Sequence, residues 1–197
     1  MAIDYDKLMG WPVPEIEQRY TERDTILYAL GVGYGHDPLD RQQLRFVYEQ
    51  GLLAAPTYPV VLGYPGFWMK DPGTGIDWVK ILHGEQSLTI HRPIPSTGHV
   101  VGRTRVSAIV DKGKEKGALV IQERAITNVA TGELLATAEA VIVCRGNGGF
   151  GGGDIAPPPK PAPPDTAPEF ICDLPTLPQA ALIYRLSGDY NPLHADP

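Results

Sequence analysis

Cysteine is scarce in this chain. Cys144 and Cys172 are the two it has, too few for a disulfide framework. A reducing, intracellular setting is the expectation. Basic residues are also in short supply: 17 Lys and Arg stand against 23 Asp and Glu, for a net charge of −6. The basic footprint of a nucleic-acid binder is therefore missing. No apolar run approaches ~18 residues, so no span of a membrane is expected. The opening residues, Met1-Ala2-Ile3-Asp4-Tyr5-Asp6-Lys7, lack the charged-then-apolar order of a secretion signal. Wholesale disorder is excluded as well. Hydrophobic residues make up 43% and charged residues 20%, which is enough apolar material for a core.

Gly and Pro are what the chain has in excess, 22 and 20 of its 197 residues. They concentrate between Gly146 and Pro168, where a Gly-rich half runs into a Pro-rich half. The first half reads as flexible and the second as polyproline II, so the stretch is expected to be a linker or surface strap. It divides the chain into residues 1–145, a full domain by size, and residues 169–197. The second piece is below the ~40 residues that usually support a core, so it must dock on something or belong to something longer.

The first part reads as helices followed by strands. Thr21 can cap a helix running to Leu30, with Asp24 completing a capping-box pattern. Ile26, Leu27 and Leu30 supply the apolar face of that helix. Gly31 and Gly33 can end it. A second helix is expected from Asp40 to Gln50, with Leu44, Val47 and Tyr48 at helical spacing and Gly51 as its stop. From Val79 the texture changes to Val, Ile and Thr. Four strands are expected, at Val79–His91, His99–Asp111, Leu119–Asn128 and Leu134–Arg145. The charged run 112–117 is a solvated turn, and Thr131-Gly132-Glu133 closes a hairpin. Helices first and an antiparallel meander afterwards give an α+β class, with the sheet wrapped on a helix.

A pattern recurs across the linker. Leu27-Tyr28-Ala29-Leu30-Gly31 precedes Asp37-Pro38-Leu39-Asp40, and Ile183-Tyr184-Arg185-Leu186-Ser187 precedes Asn191-Pro192-Leu193-His194. Pro-Leu is a common pair, so chance recurrence is the competing reading. A true duplication would leave Asp189, Asn191 and His194 in the second copy alone. Those residues sit on a loop stiffened by Pro192. A carboxylate and an imidazole five residues apart can face one small volume. The His can then act as a base near neutral pH, while the Asp orients or exchanges a proton. A solvated surface turn is the plain alternative.

The segment from Tyr184 to His194, aromatic-x-x-small-Gly-Asp-x-Asn-Pro-apolar-His, resembles the signature of the MaoC-like dehydratases, the type-2 (R)-specific enoyl-CoA hydratases. Tyr20-Thr21-Glu22-Arg23-Asp24, His83-Gly84-Glu85-Gln86 and His91-Arg92-Pro93-Ile94-Pro95 are similar to segments of the double-hotdog, eukaryotic-type members. The resemblance implies a hotdog fold, a long helix wrapped by an antiparallel sheet, occurring twice. The first hotdog would accommodate the acyl chain and the second would carry the catalytic loop. It implies reversible hydration of trans-2-enoyl-CoA to (R)-3-hydroxyacyl-CoA by a homodimer, with no metal and no redox cofactor, the CoA thioester being the substrate. Asp189 and His194 would be the catalytic pair sharing one water. Asn191 would bind substrate water or hold the loop. Family members continue into a second sheet and a His-Gly oxyanion donor. This chain stops at Pro197, so only the initial helix and catalytic loop of the second hotdog are expected. A non-catalytic acyl-CoA-binding or interaction module and a hotdog thioesterase are the other readings that fit.

Other candidates read as structural. His36, His91 and His99 lack metal-ligand spacing, and His83-Gly84 lies in a strand-like run. Gly31-x-Gly33-x-Gly35 follows a helix rather than a strand, unlike a phosphate-binding loop. Arg92, Arg103 and Arg105 suit either CoA phosphates or solvated strand positions. Tyr64, Phe67 and Trp68 suit core or an acyl pocket.

Overall fold

The computed structural model describes residues 3–154 and 162–196. Strands β1 (Ile16–Tyr20), β2 (Ile81–Ile90), β3 (Gly98–Asp111), β4 (Ala118–Asn128) and β5 (Leu134–Cys144) form one antiparallel sheet in the order β1-β3-β4-β5-β2. The four strands expected from the sequence are all there, with their ends shifted by at most two residues. β1 is an addition. Its register, Ile16 opposite Gly102 to Tyr20 opposite Gly98, makes it a five-residue edge strand. So short a run, entered through Pro12 and Pro14, carries too little periodicity to be read alone.

Helix α1 spans Tyr5–Met9, and α2 spans Glu22–Gly31 behind a Thr21 capping box with Asp24. The expected apolar face of α2 is rotated in the structure. Thr25, Tyr28 and Ala29 are its buried residues, while Leu30 is 42% exposed. The Thr25 hydroxyl donates to the Ser96 carbonyl at 2.8 Å, and the Tyr28 hydroxyl reaches Thr57 at 2.9 Å. Polar side chains with such partners can enter a core that hydrophobicity alone assigns to leucine. At ten residues α2 is short for the long central helix expected. A Schellman closure stops it, with Tyr34 N–H on the Ala29 carbonyl and Gly33 at φ 97°.

The helix expected from Asp40 to Gln50 is instead one turn, α3 (Arg41–Leu44). Asp40 caps it through Gln42 and Gln43 N–H. Afterwards Phe46 and Val47 N–H bond in the i−3 pattern, and Leu53 N–H returns to the Arg45 carbonyl at 2.8 Å. That return bond folds the segment back before a second turn can form.

Two apolar clusters lie on the core face of the sheet. One joins α1 to Ile109, Val120 and Ile142, and the other joins Tyr20, Tyr28, Tyr58 and Leu62 to Val100 and Ile126. Full burial of each large aliphatic here is worth about 1.5–3 kcal/mol. The opposite side carries exposed ion pairs, Arg103 with Glu15 at 2.8 Å and Arg105 with Glu123 at 3.0 Å.

The Gly-rich half of the expected linker is a packed strap. Asn147 is buried, accepting from Asp77 N–H and donating to the Gly75 carbonyl, both at 2.8 Å. The Asp111 carboxylate accepts from Gly149 N–H at 2.7 Å and from Gly151 N–H at 2.9 Å. Asp154 accepts from Ile109 N–H at 2.9 Å and from the Tyr5 hydroxyl at 3.0 Å. Glycine is used here for close approach, since a Cβ on Gly148 would meet the Gly113 carbonyl and lie 2.6 Å from that of Gly117. The polyproline expectation falls largely on residues 155–161, outside those described.

Helix α4 spans Ala180–Tyr184 and continues as a 3-10 turn over Arg185–Ser187. It packs on α2. A Cβ on Gly31 would stand 3.4 Å from the Tyr184 Cα, and the Tyr28 and Tyr184 rings lie 6.1 Å apart.

Candidate active site

The chain leaves the 3-10 turn through Gly188 at φ 120°, a conformation that a side chain would strain. The turn that follows is built by side chains acting on the backbone. Asp189 Oδ1 accepts from Asn191 N–H at 3.2 Å, and Asn191 Oδ1 accepts from Leu193 N–H at 3.1 Å. Pro192 begins a further 3-10 turn that carries His194. Arg185 braces the loop from behind, donating to the Asn191 carbonyl at 3.2 Å with its guanidinium 5.9 Å from the Tyr190 ring.

Asp189 and His194 thus face each other, Oδ2 to Nε2, at 3.8 Å with side chains 45% and 49% exposed. The gap is wider than a direct hydrogen bond and narrow enough for one oxygen to touch both. Both line an open groove of about 310 Å³ with Gly31, Ala180, Ala181, Tyr184 and Arg185. The groove lies where α4 crosses the end of α2. Asn191 is near the pair, but its Oδ1 is committed to the loop.

Two phenols belong to this neighbourhood. Burial pushes the Tyr184 hydroxyl up to about 12, with the charges of Tyr28 and Asp189 adding to the effect. Tyr64 is raised by burial first and by Asp189 second. Tyr64 also covers Arg124, whose guanidinium lies 5.4 Å from the ring centroid. Arg124 is 7% exposed, and burial pulls its guanidinium down to about 10. No local motif marks Arg124 in the sequence. The signal was strand parity, because 124 falls in step with the core-facing Ala118, Val120 and Ile126.

The remaining candidates are occupied elsewhere. His91 Nε2 lies 2.9 Å from Thr137 Oγ1, and His99 Nε2 lies 3.2 Å from Glu17. His83 is exposed on edge strand β2, and His36 is exposed in the loop after α2. No group of metal-ligating side chains occurs among the described residues. Arg103 and Arg105 are ion-paired, and Arg92 is 4.0 Å from Glu133. Phe67 and Trp68 pack on the first apolar cluster. Cys144 is buried, and its thiol is pushed up to about 12, so it is held protonated. No helix among the described residues is long and apolar enough to cross a membrane.

The chain has relatives by sequence and by fold. Residues 18–146 match the MFE-2 hydratase 2 N-terminal domain. Over the whole chain the sequence is 37% identical to the enoyl-CoA hydratase ChsH3 of Mycobacterium tuberculosis, spanning 69% of it. It is 35% identical to the peroxisomal enoyl-CoA hydratase 2 of Arabidopsis thaliana over 98% of this chain and 67% of that one. A crystal structure of a MaoC-like dehydratase from Phytophthora capsici superposes with a TM-score of 0.79 at 34% identity, covering 98% of this chain and 66% of that one. The chain thus spans about two thirds of the length of these relatives. The sheet and helices are those of a hotdog fold, and the chain belongs to the MFE-2 hydratase 2 family of MaoC-like dehydratases.

Proposed function

We propose that this chain serves reversible hydration of trans-2-enoyl-CoA to (R)-3-hydroxyacyl-CoA in fatty-acid metabolism, with Asp189 and His194 as its catalytic pair. The observation that carries the reading is the 3.8 Å pairing of those side chains over one open groove. His194 takes one proton from water, and the hydroxide oxygen bonds to the β-carbon. The displaced π electrons move toward the thioester carbonyl as an enolate. The proton then returns to the α-carbon through Asp189, so one water is added in total. Both groups act at hydrogen-bond range of the shared oxygen. No net electrons move, so the proposal includes no redox cofactor, and the acid/base pair is proposed to work without a metal. Asn191 fixes the loop, through the bond it makes to Leu193 N–H.

In this reading residues 1–145 form the acyl-accommodating hotdog, 146–168 connect it, and 169–197 begin the catalytic hotdog. A homodimer is the proposed assembly, and sedimentation equilibrium tests it. The proposed compartment is the cytoplasm. The relatives named as peroxisomal, from Arabidopsis thaliana and Mus musculus, make the peroxisome the alternative that a fluorescent fusion would distinguish.

The test is loss of enoyl-thioester absorbance with crotonyl-CoA, followed by chiral analysis of the product. An (R)-3-hydroxybutyryl-CoA product whose formation depends on His194 supports the reading. An (S) product, or a rate indifferent to His194→Ala, rejects it.

A further inference from the structure

Arg124 is an anomaly for a sheet core. It sits on β4 between the buried Val120 and Ile126, and no ion pair reaches it among the described residues. One amino group donates to the Val60 carbonyl, and the Tyr64 ring covers the guanidinium. Nε is buried with no hydrogen-bond partner. Thr104 stands directly opposite in the β3–β4 register, so its side chain shares this face. Its Oγ1 is likewise buried and without a partner. A buried cation with no counter-ion and an unused N–H is among the least favourable arrangements a core can hold. Two orphaned polar groups facing each other across one strand pair mark a place made for a third.

The surroundings indicate where that third group comes from. Tyr64, 39% exposed, is the cover between the guanidinium and solvent. Tyr184 forms a wall of the groove that holds Asp189 and His194. The charge on Arg124 acts on both phenols.

We propose that Arg124 and Thr104 form a specificity subsite for acyl groups that carry an oxygen acceptor beyond the thioester, entering past Tyr64. The inference rests on the acyl-CoA-binding part of the proposed function. Arg124 Nε–H would donate to the acceptor, and the Thr104 hydroxyl would give or accept a second hydrogen bond. A carboxylate would also supply the missing counter-charge. A plain alkyl chain would leave both polar groups buried and unmade, which disfavours it.

Titration calorimetry of the whole chain with saturated thioesters tests this, because they bind but cannot be hydrated. The probes are hexanoyl-CoA, 6-hydroxyhexanoyl-CoA and adipoyl-CoA. At least one oxygenated chain should bind about tenfold or more tighter than hexanoyl-CoA. A preference for adipoyl-CoA identifies a carboxylate as the acceptor, and a preference for the hydroxy chain identifies a neutral oxygen. Arg124→Met should abolish the preference, and Thr104→Val should reduce it. Arg124→Leu also removes both the charge and Nε–H and serves if the Met variant does not fold. Equal or tighter binding of hexanoyl-CoA by the natural chain overturns the proposal. So does an oxygenated-chain preference that survives in the folded Arg124 variants. A chain that shows the preference yet does not hydrate crotonyl-CoA would sink the catalytic reading alone.

Discussion

The chain builds one turn twice and uses it for two purposes. In Asp37-Pro38-Leu39 the Asp37 carboxylate accepts from Leu39 N–H at 2.9 Å, and in Asn191-Pro192-Leu193 the Asn191 amide oxygen accepts from Leu193 N–H at 3.1 Å. The helices before the turns meet at the Tyr28–Tyr184 contact. The fourth position separates the two copies. Asp40 spends its carboxylate on the N-terminus of α3, and the N–H groups of Gln42 and Gln43 hold its pKa below the ordinary value. His194 leaves its ring half exposed, opposite Asp189. The same local geometry therefore supports a fold where its polar atoms are satisfied by backbone, and offers chemistry where they are left open.

Substitutions that break this contrast have the largest expected effects. Asp189→Ala or His194→Ala should lower crotonyl-CoA hydration by about 100-fold or more. Asp40→Ala should leave that rate unchanged and lower the urea midpoint. A hydration loss in Asp40→Ala matching that of Asp189→Ala would erase the distinction between the copies. Gly148→Ala acts on the first half of the molecule alone. It drives a methyl into the Gly113 and Gly117 carbonyls, at a cost of about 1–3 kcal/mol in urea unfolding. Unchanged stability would mean that the strap is not packed as described.

The turns themselves can be compared next. Asn191→Ala removes the bond to Leu193 N–H, worth about 1 kcal/mol of loop order and roughly fivefold in rate. Asp37→Ala removes the matching bond in the other copy and should not affect the rate. The smallest effect concerns the strap in acid. Three glycine N–H groups, Gly149 first and then Gly113 and Gly151, hold the Asp111 carboxyl below its ordinary 3.8. A carboxylate lowered in the folded state contributes stability above pH 3.8 that is lost as pH falls toward its folded value. Hydrogen-exchange protection at Gly149 and Gly151, relative to the intrinsic rate at each pH, should therefore fall below pH 3.8. In Asp111→Asn that step should be missing.

Strands β2 to β5 were legible from their β-branched residues, and the Thr21 capping box from its spacing. The 184–194 loop could be read because Gly188, Asp189, Asn191 and Pro192 each act on backbone within a few residues. Other features depend on distant partners. The strap looks featureless as sequence, since the value of Gly148 lies in how close it comes to Gly113 and Gly117. The 40–50 segment carries a helical pattern that Leu53 interrupts by bonding back to Arg45. Thr25 is buried because of Ser96, 71 residues away.

The sequence by itself determined the family, the order of strands along the chain and the geometry of the 184–194 turn, because short-range rules of periodicity and capping govern all three. Tertiary structure decided which face of α2 is buried, that the glycine segment is a strap, and that Asp189 and His194 open onto a groove between α2 and α4. It also buried a guanidinium on β4 with its Nε–H left without a partner. Those outcomes depend on which distant polar groups meet their partners when the sheet closes, and no local pattern carries that information.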